Sequence, residues 1–167
     1  MKVVLISMPD VVPIVIHETA VHMPNHGIAC IGGNIDPRHD VFIIDLVRKR
    51  GNVAGYLRKT LTKINPGLVG LSAMTWQYRT CLALVGLIRE ILPGTKIALG
   101  GYHTTLLAKE IAASDESEKV DFMVRGEGEE AFRRLANALD PASQADATDR
   151  VEDIPGLSYR SSGSSNG

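Results

Sequence analysis

The sequence has only two cysteines, Cys30 and Cys81, and they are far apart in the chain. They lack the close spacing that a structural zinc site or an iron–sulfur cluster requires, so neither centre can be built from this chain alone. Both cysteines stand among apolar residues, where a free cysteine usually behaves as a small buried side chain. We therefore expect both to pack in the core.

Long apolar runs and clustered basic residues are also lacking. No run approaches the roughly 20 apolar residues of a membrane-spanning helix, and Pro9 and Asp10 follow the short apolar start instead of a cleavage site. The 18 Lys and Arg are interspersed with 19 Asp and Glu, giving a net charge of -1. Without a basic stripe, nucleic acid is not an expected partner. The expected location is the cytoplasm, without membrane association.

What the sequence does contain is an alternation of short apolar runs with longer segments of helical period. The predicted strands cover 3–6, 41–44, 68–71, 96–99 and 121–124, and the predicted helices cover 27–35, 53–64, 81–92, 106–113 and 132–139. The apolar runs are continuous, which is typical of parallel strands covered on both faces. The pattern predicts an α/β fold, a doubly wound five-stranded parallel sheet of the flavodoxin-like (Rossmann-like) type, with strand order 2-1-3-4-5.

The last part of the chain has a different composition. Residues 1–140 are predicted to form the α/β domain, and residues 141–167 a linker. Within that linker Ile154–Arg160 could add a short strand, whereas the Ser/Gly-rich end is expected to be flexible. This organisation suggests a linker that leads to a catalytic domain absent from the sequence.

Residues that follow the predicted strands form the candidate binding site, because ligands of doubly wound sheets bind beyond the carboxyl ends of the strands. Glycines there let the backbone approach a bulky ligand closely. No nucleophile–base pair and no metal site is predicted among these residues, so the chain by itself is not expected to be catalytic. The candidates are Met8 and Pro9 after strand 1, Ser72, Met74 and Thr75 after strand 3, Gly100, Gly101 and His103 after strand 4, and Arg125, Gly126 and Glu127 after strand 5.

An ordered set of segments resembles one known family. The segments are KVVLISMP, PNHGIACIGGNI, HDVFIIDL, NPGLVGLSAMT, KIALGGYHTT, VDFMVRGEGEEAF and VEDIPGLSYR, and they cover nearly the whole chain. Together they are similar to the N-terminal cobalamin (vitamin B12)-binding domain of cobalamin-dependent radical S-adenosylmethionine enzymes. The resemblance implies cobalamin as the ligand. It also implies a C-terminal radical S-adenosylmethionine domain of the same parent chain, which would carry the iron–sulfur cluster and S-adenosylmethionine.

The resemblance also assigns roles to particular positions. Ser72-Ala73-Met74 stands where the family has a turn that hydrogen-bonds near the nucleotide tail, and Gly100-Gly101 where a glycine pair makes room for that tail. Arg125-Gly126-Glu127 matches the turn after the fifth strand. The Asp-x-His-x-x-Gly motif that supplies a lower cobalt ligand in another branch is missing, since Asp36-Pro37-Arg38-His39 has one residue too many and no glycine follows. Cobalamin is therefore expected base-off, without a histidine lower ligand.

The implied activity of the parent enzyme is methyl transfer, or a ring-forming or rearrangement step. The missing histidine motif keeps an alternative open, in which the domain is a cofactor-free structural module that docks on the catalytic domain. Trp76 is the only tryptophan. It could stack on a corrin face or on an incoming domain, or it could be a partly buried residue at the start of the third helix.

Three other interpretations are weaker. Residues 126–131 fit GxGxxA, but three glutamates there would repel the diphosphate of a dinucleotide. A phosphoacceptor domain would need acidic residues at positions that Ser7 and Ser72 occupy. His17 and His22 form HExxxH, which is one residue longer than the zinc-protease motif, so the two histidines would not share one face of a helix. Together with His26 they could bind a metal only if the loop folds back on itself.

Overall fold

The computed structural model describes residues 1–9, 25–49, 51–143 and 149–159. The strands are β1 (Lys2–Ser7), β2 (Asp40–Asp45), β3 (Leu68–Ser72), β4 (Lys96–Gly100), β5 (Phe122–Val124) and β6 (Leu157–Tyr159). The helices are α1 (His26–Asn34), α2 (Val53–Ile64), α3 (Tyr78–Ile91), α4 (Tyr102–Leu106), α5 (Ala108–Ala112) and α6 (Gly128–Leu139). In the described ranges no helix combines the length and the apolar character that crossing a membrane demands.

The strands form one sheet in the order β2-β1-β3-β4-β5-β6. The predicted order 2-1-3-4-5 and the parallel pairing of those strands are confirmed. The predicted short strand within Ile154–Arg160 is confirmed as β6, which pairs with β5 in the antiparallel sense and adds a sixth strand to the five predicted for the parallel sheet. Gly156, with φ 76°, turns the chain just before β6, and the buried Ile154 and Leu157 attach this segment to the core.

Side chains of successive strand residues point to opposite faces, so each face of the sheet has its own core. One face packs against α2 and α3 and contains Val4, Ile6, Val69, Leu71, Ile97 and Leu99. The other face packs against α1 and α6 and contains Val3, Leu5, Leu68, Ala98, Phe122 and Val124. The sheet is thus covered on both sides, as the continuous apolar runs predict.

Asparagine side chains begin the two helices that follow β1 and β2. The side chain of Asn25 accepts a hydrogen bond from the Ile28 N–H, and that of Asn52 accepts one from the Gly55 N–H. These bonds satisfy backbone donors that the first helical turn leaves unpaired. At the other end of α2, Asn65 adopts the left-handed conformation (φ 50°) and ends the helix before Pro66.

The single helix predicted over 106–113 is wrong, because two short helices, α4 and α5, occupy 102–112. Leu107 separates them with φ -117° and ψ 30°. Thr104 and Thr105, the predicted caps, lie inside α4, and their hydroxyls donate back to the carbonyls of Gly100 and Gly101. A threonine that bonds to the preceding turn does not cap the next one.

The two cysteines differ in burial. Cys81 lies on the inner face of α3 and is fully buried, as predicted. Cys30 is exposed on α1, so the prediction that it packs in the core is wrong. The reason is the orientation of α1, in which Ile28 is the buried residue and Cys30 points away from the sheet.

Candidate functional site

A cleft of about 150 Å³, partly open to solvent, lies at the carboxyl edge of the sheet between α1 and α6. This is the position next to the switch point of the strand order, where β1 has β2 on one side and β3 on the other. Its lining comes from the strand interiors, the loops after β4 and β5, and both helices. The lining residues are Leu5, Gly27, Ile28, Ile31, Gly70, Leu71, Ser72, Ala98, Gly100, Gly101, Val124, Gly126, Glu127, Gly128, Glu129 and Phe132.

The cleft exists because β3 and β4 present small residues to this face. Gly70 pairs with Ala98, and Ser72 pairs with Gly100 in the next row toward the carboxyl edge. The opposite face of the same two strands carries large aliphatic side chains that pack against α2 and α3. Four small residues in two adjacent rows therefore leave a space beneath α1 and α6 that larger side chains would fill.

The helices that flank this space meet closely at one point. A β-carbon on Gly128, at the start of α6, would lie 3.2 Å from Cδ1 of Ile31 on α1. Farther along α6, the Phe132 ring reaches the sheet, since a β-carbon on Gly70 would lie 2.7 Å from its Cε2 atom. Ile31 thus forms part of one wall, and Phe132 forms part of the floor.

The loop after β4 is held against the loop after β3. The Ala73 N–H donates to the Gly100 carbonyl at 3.1 Å, and the His103 N–H donates to the Ala73 carbonyl at 3.2 Å. Between these bonds Gly101 has φ 95°, a conformation that favours glycine. The glycine pair therefore keeps the loop after β4 packed against the loop after β3 at this side of the cleft.

The loop after β5 is tied to the same structure through Thr105. The Gly126 N–H donates to Oγ1 of Thr105 at 3.0 Å, and this hydroxyl donates to the Gly101 carbonyl at 3.0 Å. Gly126 itself has φ 73°. Two positive-φ glycines on neighbouring loops are thus joined by one threonine side chain, which fixes the rim.

Acidic residues stand at the outer end of the cleft. Glu127 precedes α6 and Glu129 lies in its first turn, where a negative charge interacts favourably with the helix dipole. The side chain of Glu127, the residue before the helix, makes no capping hydrogen bond to the backbone donors of this first turn. The outer end therefore combines carboxylates with helix N–H groups, whereas the floor is apolar.

The structure brings five of the predicted residues together and places six elsewhere. The five that line the cleft are Ser72, Gly100, Gly101, Gly126 and Glu127. The others are Met8, Pro9, Met74, Thr75, His103 and Arg125.

Among these six, Met8 departs most from the prediction. Its side chain is buried and packs in the core beneath α2 and α3, because it shares the face of Val4 and Ile6. It is therefore not available to a ligand in the cleft. Pro9 is half-buried at the end of the described segment. Met74, Thr75 and Arg125 are exposed at the carboxyl edge.

His103 is buried behind the loop after β4 and does not line the cleft. Its ring lies 4.0 Å, centroid to centroid, from the ring of Tyr78, and its Nδ1 has no hydrogen-bond partner in the described part of the chain. The Tyr78 hydroxyl donates to Glu116 at 2.9 Å. Burial, with this carboxylate as a further cause, raises the pKa of Tyr78.

His39 is also far from the cleft. It is buried at the amino edge of the sheet, where its Nε2 lies 3.0 Å from Oδ1 of Asn137 on α6. His17 and His22 lie outside the described residues, and within those residues no group of three or more potential ligands is positioned to hold a metal ion.

Several lining residues were not predicted, namely Leu5, Gly70, Ala98, Ile31 and Phe132. A signal for two of them is present in the sequence. In LVGLS and KIALG, the large and small residues alternate, so Gly70 and Ala98 share a face with Ser72 and Gly100. That alternation predicts a space on one face of two adjacent strands.

A large ligand fits this arrangement on two grounds. At Gly100 the cleft is open, since a β-carbon there would meet nothing closer than the Val124 carbonyl oxygen at 3.6 Å. The cleft opens at the carboxyl edge, so part of a ligand can enter while the rest stays outside. These features suit a ligand that has one part small enough to enter the cleft and a larger part that stays outside.

Comparison with known proteins places the chain among cobalamin-associated ones. Residues 12–136 match the sequence profile of the B12 binding domain family. An uncharacterized methyltransferase of Pyrococcus horikoshii is 28% identical over 140 residues, which are 84% of this chain and 28% of that protein. The anaerobic magnesium-protoporphyrin IX monomethyl ester cyclase of Rubrivivax gelatinosus is 30% identical over 84 residues, 50% of this chain and 15% of the cyclase.

Solved structures give the same fold. The radical S-adenosylmethionine methyltransferase TsrM from Kitasatospora setae, solved with cobalamin and a [4Fe-4S] cluster, matches with a TM-score of 0.74 and 18% identity. The alignment covers 96% of this chain and 27% of TsrM. The cobalamin-dependent S-adenosylmethionine radical enzyme OxsB, solved with aqua-cobalamin and S-adenosylmethionine, matches with a TM-score of 0.70 and 18% identity. That alignment covers 95% of this chain and 20% of OxsB. The chain thus spans less than a third of each of these proteins.

Proposed function

Because the chain belongs to the B12-binding domain family, we propose that it binds cobalamin at the carboxyl edge of its sheet. In this proposal it is the cofactor-binding part of a longer radical S-adenosylmethionine enzyme. The observation that carries the proposal is the cleft lined by Gly70, Ser72, Ala98 and Gly100 at the switch point of the sheet.

The cleft residues would hold the nucleotide tail of the cofactor. The small residues of β3 and β4 leave room for it, and Ile31 and Phe132 contact it from the helices. The Ser72 hydroxyl is a hydrogen-bond donor at the outer end, where the ribose of the tail would lie. Glu127 would accept a hydrogen bond from the ribose hydroxyl, and its carboxylate favours a position of the phosphate outside the cleft.

Residues on the rim would contact the part of the cofactor outside the cleft. Met74, Thr75 and Arg125 are exposed at this edge, so their side chains can meet the amide groups of a macrocycle. When bound, cobalamin supplies a cobalt centre able to carry a methyl group or an electron. The sequence lacks the Asp-x-His-x-x-Gly motif, and we accordingly propose the base-off form without a histidine lower ligand.

The iron–sulfur cluster and S-adenosylmethionine belong, in this proposal, to a radical S-adenosylmethionine domain of the longer protein. The support is that TsrM and OxsB, of which this chain spans 27% and 20%, are radical enzymes of that class. The reaction of the longer protein is proposed to be methyl transfer, or a ring-forming or rearrangement step, in the cytoplasm.

Binding of hydroxocobalamin to the purified chain tests the proposal. We expect a saturable change in the visible spectrum, and co-elution of the corrinoid with the protein on gel filtration. A complete lack of both, with a protein shown to be folded by circular dichroism, would reject cobalamin binding.

A pair of leucine substitutions locates the binding site. In Gly100→Leu the new side chain enters the cleft from a position where a β-carbon makes only ordinary contacts, so we expect binding to weaken by more than about tenfold. In the matched control Gly86→Leu the new side chain enters open space at α3, on the other side of the sheet. Equal affinities of the two variants would show that the cofactor binds elsewhere.

One observation favours a second candidate function, a cofactor-free module that docks on the catalytic domain. Trp76, Tyr102 and Leu106 expose more than half of their surface near the carboxyl edge, as docking surfaces do. This candidate expects an activity of the full-length enzyme that is independent of added cobalamin and unchanged by Gly100→Leu. A cobalamin-dependent activity that the substitution lowers would reject it.

A further inference from the structure

The cleft is chemically divided along its depth. The polar side chains of its described lining, Ser72, Glu127 and Glu129, all stand at the end of β3 or at the start of α6. The deeper lining consists of Leu5, Ile28, Ala98, Val124 and Phe132, each at least nine-tenths buried, with Gly70 between them. A ligand that reaches the floor therefore meets hydrocarbon side chains.

The backbone at the floor offers no free hydrogen-bonding groups to a polar part of a ligand. Leu5, Gly70 and Ala98 lie side by side in the parallel ladder of β1, β3 and β4, so their peptide groups are engaged with neighbouring strands. A polar group pushed against this row would lose its water without gaining a partner, which is unfavourable.

The Phe132 ring adds a preference for flat apolar groups. It lies close enough to Gly70 that a β-carbon there would approach two of its ring atoms to 2.7 and 2.8 Å. An aromatic ring at the floor of a narrow cleft contacts another planar ring over a large area, and such contacts are favourable when both rings are apolar at the interface.

From these observations we infer that the cleft selects among cobamides by the base at the end of their nucleotide tail. It accepts an apolar benzenoid base, such as dimethylbenzimidazole, and rejects a purine base. This inference depends on the proposed function and deepens it. Adenine carries an exocyclic amino group and additional ring nitrogens that the floor would leave unpaired, whereas the benzene ring and methyl groups of dimethylbenzimidazole need no partner.

Three corrinoids distinguish the possible outcomes, namely cobalamin, the cobamide with adenine as its base, and cobinamide, which has no nucleotide tail. Quenching of Trp76, the single tryptophan of the chain, reports binding of each, with free tryptophan amide as the control for absorption of light by the corrinoid. We expect cobalamin to bind at least about tenfold more tightly than the adenine form, as one unpaired polar group implies. Cobinamide is expected to bind more weakly than cobalamin.

Each contrary result has a different meaning. Equal or tighter binding of the adenine form would overturn the selectivity, and cobinamide binding as tightly as cobalamin would show that the tail gains nothing from the cleft. Either result would leave the proposed function standing. Failure of all three corrinoids to bind would reject the proposed function together with this inference.

A serine substitution at the floor tests whether its apolar character causes the selectivity between the two cobamides. Ala98→Ser adds one hydroxyl beside Gly70 and should bring the affinities of the two cobamides several-fold closer together. The matched control Ala83→Ser places the same hydroxyl on the exposed side of α3 and should leave the ratio unchanged. An unchanged ratio in a folded Ala98→Ser protein would contradict selection at the floor.

Discussion

Gly101 lies so close to Ala73 that a β-carbon at position 101 would be 2.8 Å from both the nitrogen and the carbonyl oxygen of Ala73. The contact joins the loops after β3 and β4 at the rim of the cleft. Both atoms belong to the backbone and one of them accepts a hydrogen bond from the His103 N–H, so they cannot move away cheaply. The position accordingly requires glycine for reasons of space and of conformation.

The two glycines of the Gly100-Gly101 pair should respond differently to alanine. Gly101→Ala combines the overlap with Ala73 and an unfavourable φ of 95°, so we expect it to lower the free energy of unfolding by about 3 kcal/mol. At Gly100 the nearest atom would be the Val124 carbonyl oxygen at 3.6 Å, an ordinary contact, and we expect a change within about 1 kcal/mol. Urea unfolding of both variants measures the difference, and equal effects would contradict the geometry.

Gly70 should also be intolerant of alanine, for a different reason. Its backbone is regular strand, but the new methyl group would lie 2.7 Å from the Phe132 ring and 2.8 Å from Cδ2 of Leu5. We expect Gly70→Ala to cost about 1–3 kcal/mol, as overpacking in cores does. Gly86→Ala is the control, since nothing lies near its β-carbon in α3, and it should stabilise the protein by about 0.5–1 kcal/mol. Thermal unfolding compares the two; stabilisation by Gly70→Ala would show that the floor is looser than the structure indicates.

Because of Asp121, the free energy of unfolding should decrease as the solution becomes acidic. Burial alone would raise the pKa of Asp121, but hydrogen bonds from the Ile97 N–H and from Arg89, the charge of Arg89, and a bond from Lys96 together lower it below its ordinary value of 3.8. Because the pKa is lower in the folded state, the ionised carboxylate stabilises the fold fully above the ordinary carboxyl pKa. This contribution is lost as the pH falls through the folded-state pKa.

The variant Asp121→Asn isolates that contribution. We expect it to lower the free energy of unfolding by about 1–3 kcal/mol at pH 7, where the charge-assisted hydrogen bonds are lost. The difference from the unsubstituted protein should begin to shrink below about pH 5, since the carboxyl group of the unfolded chain binds a proton first and folded Asp121 binds one only at lower pH. Urea unfolding at pH 7, 5, 4 and 3 measures this trend, and a difference that is constant with pH would exclude the carboxylate as its source.

The two thiols should differ strongly in reactivity. Cys30 is exposed, whereas burial raises the pKa of Cys81 to about 12, so that its reactive thiolate form is almost absent at neutral pH. We expect a disulfide reagent such as Ellman's reagent to modify one thiol of the native protein rapidly and the second only after unfolding. Cys30→Ser should abolish the rapid phase, and Cys81→Ser should leave it intact. A rapid reaction that persists in Cys30→Ser would show that α3 opens readily.

The sheet could be predicted from the sequence because its strands are short apolar runs between segments of helical period. The order of the strands follows from general rules for parallel α/β folds. β6 lies within the predicted segment Ile154–Arg160, but three residues carry no signal for its antiparallel pairing with β5, and the burial of Ile154 and Leu157 fixes the segment. The division between α4 and α5 depends on threonine hydroxyls that bond back to strand carbonyls, which sequence pattern does not reveal.

The candidate site could be predicted in part. Ser72, Gly100 and Gly126 follow strands, and parallel strands end at one edge, so their proximity follows from topology. The position of Phe132 depends instead on how α6 packs over β3, which has no local signal in the sequence. The position of Met8 after a strand predicts that it belongs to the site. The alternation that directs Val4 and Ile6 to the opposite face applies to Met8 as well, and its side chain is buried there.

The antiparallel direction of β6 has a practical consequence. Leu157 pairs with Val124 beside the cleft, while Tyr159 pairs with Phe122, so the backbone travels away from the cleft as it approaches Tyr159. A label, a bead or a sensor chip coupled at the exposed Tyr159 would thus be attached away from the cleft. Immobilised protein should keep its cleft open to corrinoids in the surrounding buffer, which makes surface-based kinetic measurements feasible.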